Sequence, residues 1–561
     1  MRKIVFIIFT IVLLFTCGTS AYALTTSTTN GKTYWAQQTA KTETVTLSGD
    51  VYLKGPIIIP NGVTLTIKRK PVATGIEGNI HIRPAADYVK HASYPTCLFY
   101  VAQGGKLVIE GQNISNSYIS LNGTSSGAAI ESPVDESGAS LINTTDVKAS
   151  LETVRTNLEN NSYLDFVNGG MICAVGTVDI SYVRLYGMYA TTGRAGAIYR
   201  PEQNSTTKYV YGPIDIQHSR ITNNRTSYGA AIMINRQIST ATDLNNNTPE
   251  SCRINLVDVD ISSNYTMTSD DGGAIRSAPD VIGNMYLTQC KIYRNYTYGR
   301  GGAIYWNARA SNDTKLIISD TNIERNHSCK DGAGIMLEGN IQFNKIANRS
   351  FITGNVAESD DKLTNDDVRY GMGGGIYLRT SGILKGSVTT PTIDMNLGAN
   401  VSIKNNKAYN GAGVAVDLVS DSYFASGTDV NINLSGLNVS GNIAAHNGGG
   451  VYLLDNNKTL DVNIVLSKGT TIVANRAEVS GGGIYFETGQ SVTKPAVIKF
   501  NGGRVAKNRA KTGSGGGINV VGHNVTSDQD ATGITVAANV SKTRRLRFLT
   551  EAVAWLPSSQ R

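Results

Sequence analysis

Two acidic groupings are the first residues in this chain able to do chemistry. Asp270 and Asp271 stand side by side before a glycine pair, and Asp360, Asp361, Asp366 and Asp367 crowd one short span with Asn365 among them. Carboxylate and amide oxygens at that density suit calcium, a hard cation that takes several oxygen ligands. The four aspartates of the second group are therefore calcium candidates, with a loop kept soluble by charge as the plainer alternative. Lys362 and Arg369 in the same span would complete an acid/base set for cleaving a sugar polymer. The histidines, His81, His91, His218, His327, His446 and His523, are scattered and read as solvated or structural. There is no CxxC for zinc. The residues name no catalytic side chain and no cofactor site.

The elements that would carry such groups are set by an internal repeat. An aliphatic-x-x-Asn is followed by a glycine cluster and then an aliphatic residue. Ile292-Tyr-Arg-Asn295 with Gly301-Gly-Ala-Ile-Tyr305, and Ile472-Val-Ala-Asn475 with Gly481-Gly-Gly-Ile-Tyr485, are two clear copies. The aliphatic markers are Ile130, Ile172, Ile198, Ile232, Ile275, Ile304, Ile335, Ile376, Val414, Val451, Ile484 and Ile518, spaced 26 to 43 residues apart. The asparagines matched to them are Asn122, Asn161, Asn224, Asn264, Asn295, Asn326, Asn355, Asn406, Asn442, Asn475 and Asn508, with Gly187 standing where the third copy should have Asn.

Between markers, segments such as Val257-Asp-Val-Asp-Ile261 and Leu460-Asp-Val-Asn-Ile464 alternate apolar and polar. Period-two alternation bounded by Asn and Gly is strand and turn. Fixed corners with a connection of variable length are what stacked coils allow. The predicted fold is all-β: a right-handed parallel β-helix solenoid of about twelve recognisable coils plus N-terminal capping coils. Asn224, Asn264, Asn295, Asn326, Asn355, Asn406, Asn442, Asn475 and Asn508 are read as a structural ladder, each amide bonding backbone and the next asparagine. The same asparagines would tolerate a left-handed corner. The glycines would let neighbouring coils approach closely.

The aliphatic-x-x-Asn and Gly-Gly-Ala/Gly-Ile pairing resembles the FxxN and GGAI repeats of polymorphic outer-membrane proteins, and more broadly bacterial right-handed β-helix (pectin-lyase-like) proteins. It covers roughly residues 115–525, with Ile or Val where those repeats have Phe. The resemblance implies the architecture and an exported, surface-exposed life. The fold hosts adhesins as well as lyases and hydrolases, so it does not choose among them.

Residues 1–23 are predicted to be a signal peptide: Arg2 and Lys3, an apolar run from Ile4 to Phe15, and Ala21-Tyr-Ala23 at the cleavage site. Residues 24–44 are expected to be loose, 45–114 to form the N-terminal cap and first coils, 115–525 the β-helix repeats, and 526–561 a C-terminal tail or cap. In that last part, 542–556 has the spacing of a short amphipathic helix. The mature chain is expected to have no transmembrane helix and to be secreted or held at the cell surface, outer membrane-associated. The net charge of +8 is too mild over this length to call for nucleic acid.

There are 27 tyrosines against 11 phenylalanines. Tyr296, Tyr298, Tyr305, Tyr377, Tyr409, Tyr452 and Tyr485 lie at corners or just after markers, and strand geometry turns the latter outward. Outward tyrosines suit contact with sugars or proteins. Two functions follow as expectations. The first is a non-catalytic, adhesin-like rod contacting a polysaccharide or a host or neighbour surface protein. The second is a polysaccharide lyase or glycoside hydrolase working in a groove along the β-helix.

Overall fold

The chain folds as a parallel β-helix, seen in a computed structural model that describes residues 24–71, 78–124, 164–203, 208–229, 231–235, 247–266, 271–278, 281, 283–308, 315–339, 345–347, 349–357, 371–379, 392–397, 400–418, 429–456, 461–467, 469–488, 496–521, 525–527 and 534–541. Residues 1–23, expected to be a signal peptide, Asn161, Ile130, Asp270, His523, the four calcium candidates Asp360, Asp361, Asp366 and Asp367, and the 542–556 segment all lie outside the described residues.

Among the described residues the strands form sheets of 23, 14, 11 and 5; the first two run the length of the rod, the third begins at Tyr189–Arg194 and the fourth spans only Thr392–Asn396 to Val525–Ser527. The 14-stranded sheet carries the markers and is parallel throughout. Ile172, Ile198, Ile232, Ile275, Ile304, Ile335, Ile376, Val414, Val451, Ile484 and Ile518 pair in one unbroken row. Below Ile172 the row continues directly to Phe99 and Ile57. Phe99 thus holds the place below Ile172. With coils about 4.8 Å apart, thirteen steps give a rod of roughly 60 Å. The inward side chains fuse into one apolar column from Leu24 to Val505.

Each coil turns at two fixed places. The large sheet ends where one residue takes a left-handed conformation just before the ladder asparagine: Asn223, Ser263, Arg294, Arg325, Asn405, Ala474 and Lys507 all have φ between 54° and 57°. The asparagine is thus not the left-handed residue, as its chemistry suggested, but the clamp that holds its neighbour there. The 11-stranded corner sheet follows, and then the glycine turn into the marker sheet. At that turn the added Cβ of Gly450 would lie 2.6 Å from the Gly483 carbonyl oxygen, and that of Gly375 2.5 Å from the Gly413 carbonyl oxygen. Only glycine permits this approach of coil to coil.

Both ends depart from expectation. Residues 24–44 are not loose. Thr26–Thr29 and Lys32–Trp35 form an antiparallel hairpin, and the second strand pairs in parallel with Val51–Leu53. The turn is Asn30-Gly31, both left-handed, the pair that a two-residue hairpin favours. Trp35 anchors it, 1% exposed. At the other end the coils do not stop at 525: Ile534–Ala537 and Val540–Ser541 add to the large and corner sheets.

Candidate functional site

The nine asparagines read as a ladder are brought together in one. From Asn264 on, Oδ1 accepts from the backbone N–H and the side-chain amide of the preceding asparagine, and in all nine Nδ2 donates to a main-chain carbonyl of the coil below. For Asn406 these bonds are 2.9 Å from Asn355 N, 3.0 Å from Asn355 Nδ2 and 3.0 Å to the Ile352 oxygen, with a further 3.0 Å bond to Asn442 Oδ1. All nine are buried. The ladder has a tenth member, Asn539, which accepts from Asn508 and donates to the Val505 carbonyl. The sequence Val536-Ala-Ala-Asn539 fits the repeat and could have shown it. Two matches were out of register. Asn122 pairs with Tyr186, so Thr124 falls in the ladder row. Gly187 is the left-handed residue of its coil, and Met188 takes the asparagine place, its N–H donating to Asn224 Oδ1. These residues are architecture and leave no group to offer a ligand.

The tyrosines after the markers do leave the coil, but they are not exposed. Tyr305, Tyr377, Tyr452 and Tyr485 are 3–7% exposed and pack with Met336, Met372 and Ala415 in a layer outside the marker sheet. Tyr452 and Tyr485 stack with centroids 5.4 Å apart. Tyr296 is likewise buried, against Tyr265 and Cys329, with His327 stacked on it. Pleat geometry fixed their direction; burial by what lies over them was not readable from the repeat.

On the same face lies a compact charged cluster, of which the sequence singled out Asp271 alone. Arg300 grips Asp271 with two nitrogens, at 3.0 and 3.1 Å, and reaches Glu338 at 3.3 Å. Arg379 lies 3.6 Å from Glu338 and 3.7 Å from Asp417. Tyr305 donates to Glu338 at 2.6 Å, Tyr377 to Asp417 at 3.1 Å and Tyr452 to Glu487 at 3.2 Å. Each tyrosine thus meets an acid on the following coil, three residues past that coil's marker. Burial, and then the nearby carboxylates, push these three phenols well above their ordinary pKa. Burial would lower the Arg300 guanidinium, but Asp271, Tyr305 and Glu338 outweigh it and hold it above the usual range. Among the described residues no group of three His, Cys, Asp or Glu side chains is arranged to hold a metal.

Asp331 stands at the glycine turn beside this cluster. Its Oδ1 accepts from the N–H groups of Gly371 and Met372, both at 2.9 Å. Burial lifts its carboxyl to about 6, against the lowering effect of those N–H groups and of Arg300 and Arg379. A carboxyl raised in the folded state holds a proton that the unfolded chain has already released. Its stabilising contribution is full below the ordinary value of 3.8 and is lost as pH rises through about 6. Asn410 and Asn447 do the same bonding at the same turn of later coils. Asp331→Asn should therefore keep the acceptor and remove the pH-dependent part, gaining about 2–3 kcal/mol over the wild type at pH 7 relative to pH 4. Urea midpoints of the two proteins at both pH values check this.

Comparison with known proteins finds no matching family model, no matching curated protein and no matching solved structure.

Proposed function

We propose that the chain is an exported β-helix rod that acts outside the cell by contact, adhesin-like, against a polysaccharide or a surface protein, without catalysis. The observation that carries this is the state of the acidic cluster on the marker sheet. Asp271, Glu338 and Asp417 are already engaged by Arg300, Arg379 and tyrosine hydroxyls. A general acid or base needs a proton free to move at working pH, whereas these carboxylates are tied by guanidinium groups and the phenols beside them are held protonated. Such a network fastens coil to coil. The signal sequence and the regular outer faces fit a long contact surface.

The second reading, a polysaccharide lyase or glycoside hydrolase, is favoured by one observation: three acids and two arginines from successive coils converge on one outward face. Incubating the chain from residue 24 with uronic-acid polymers and neutral glycans separates the two. The contact reading expects no unsaturated or reducing ends, together with retention of the protein on a glycan or cell surface. Product release that Glu338→Gln abolishes would replace it with the enzymatic reading.

A further inference from the structure

The last full coil among the described residues carries a cationic corner. Arg504, Lys507, Arg509 and Lys511 are all exposed, while Val505, Ala506, Asn508 and Ala510 between them are buried. Lys507 is the left-handed residue of the turn, so the four cations fan around the bend from the large sheet to the corner sheet. One coil below, Arg476 pairs in register with Arg509. Glu478 bonds Lys511 and, at 3.1 Å, Arg476. Among the described residues, Arg504, Lys507 and Arg509 have no acidic partner.

The same surface of the middle coils is mixed in sign, with Asp258, Asp260 and Glu324 among Lys291, Arg294 and Arg325. The fold gains nothing from the difference. Like charges in register on adjacent strands repel, and the buried Asn508 and Ala510 would be served by any polar residues outside them. Along the strand, alternate side chains lie about 7 Å apart, and neighbouring coils about 4.8 Å. Arg504, Lys507 and Arg509 thus form a short row of positive charge around the corner, with Arg476 one coil below. Because it wraps a corner, a flat lipid surface would meet only its apex, whereas a flexible chain can follow it.

We propose that this corner binds a linear polyanionic polysaccharide, one bearing sulfate or carboxylate on most rings. The proposal rests on the contact reading above and gives it a place and a ligand class. Arg504, Lys507 and Arg509 supply the attraction; Glu478 restrains Lys511 and Arg476.

The test uses the chain from residue 24 with dextran sulfate, neutral dextran of matched length, and phosphatidylglycerol vesicles. Dextran sulfate should bind, dextran should not, and affinity should fall at least about tenfold between about 0.05 and 0.3 M salt. Arg504→Gln, Lys507→Gln and Arg509→Gln together should weaken binding about tenfold or more. Lys291→Gln, Arg294→Gln and Arg325→Gln together, which remove as much charge from the middle coils, should leave it unchanged. Glu478→Gln should tighten it about two- to threefold. All the substituted cations are surface groups, and an unchanged melting curve confirms the fold. Equal loss in both triple variants, no loss in the first, or preference for vesicles over dextran sulfate overturns the proposal. Product release from glycans would count against the non-catalytic reading and leave this site standing.

Discussion

Asn406→Ala should cost about 4 kcal/mol or more and split the unfolding of the rod. The estimate follows from what the side chain holds. Its removal leaves the Asn355 N–H, the Asn355 side-chain amide, the Ile352 carbonyl and the Asn442 Oδ1 each one bond short. A buried polar group left unpaired costs about 1–3 kcal/mol. Water has little access, since Asn406 is 0% exposed. In a solenoid each coil contacts only its neighbours, so loss of one interface uncouples the two sides. Guanidinium unfolding of the variant should show two transitions where the wild type shows fewer, and the Asn355 amide should exchange faster with solvent. Asn406→Asp should be worse still, because it keeps the acceptor but turns a donor toward Asn442 Oδ1 into a second acceptor. A variant as stable as the wild type would mean the ladder is ornament to the sheets.

Gly450→Ala should be of similar size for a different reason. Gly450 is not left-handed, so backbone strain is not at issue. The added methyl would lie 2.6 Å from the Gly483 oxygen and 3.0 Å from both Asn475 Nδ2 and Ile472 Cγ2. Two of those contacts are the next coil's ladder and core, so relief requires prising the coils apart. Overpacking costs about 1–3 kcal/mol where the surroundings can yield, and disturbing the Asn475 bonds adds to it, giving about 3–5 kcal/mol. Gly62→Ala is the control. Gly62 has φ +74° but nothing within 4 Å of the added carbon, so only conformational strain of about 1 kcal/mol is expected. Thermal melts of the two variants beside the wild type settle the comparison; a Gly62→Ala loss equal to that of Gly450→Ala would refute the steric account.

The register of the coils was legible because it is written in residue type. An aliphatic after glycines has one place to go in a close-packed column, so eleven markers align as read. The ladder was legible for the same reason, and its errors are instructive. Asn122 matches the pattern by identity but sits two residues out of step, and Met188 occupies a ladder place without being an asparagine. A pattern of types cannot report pairing where one coil departs. The hairpin at Asn30-Gly31 had a turn signal that the polar flanking sequence hid. Of the cluster of Asp271, Arg300, Glu338, Arg379 and Asp417, only Asp271 stood out in the sequence, as half of an acidic pair, and nothing there linked it to the other four. Its members come from successive coils separated by connections of unequal length, so no fixed spacing links them. What brings them together is the marker row: Asn307, Glu338, Arg379 and Asp417 are neighbours because Ile304, Ile335, Ile376 and Val414 are.

The left-handed residue beside each ladder asparagine bears on how such a chain can change its length. Arg294, Arg325, Ala474 and Lys507 share one conformation though their side chains share nothing, so the corner asks of its occupant only that the asparagine after it be present. From Asn264 to Asn508 every ladder asparagine meets its two neighbours through the same atoms. Asn442 bonds Asn475 as Asn475 bonds Asn508, both across 33 residues. Excising residues 443–475 would bring Asn442 to the chain position before Arg476 and onto Asn508 with every bond type preserved. Rod length is thus a quantity that duplication or deletion of whole units can adjust without redesigning a single joint, and the two ends alone must stay as they are.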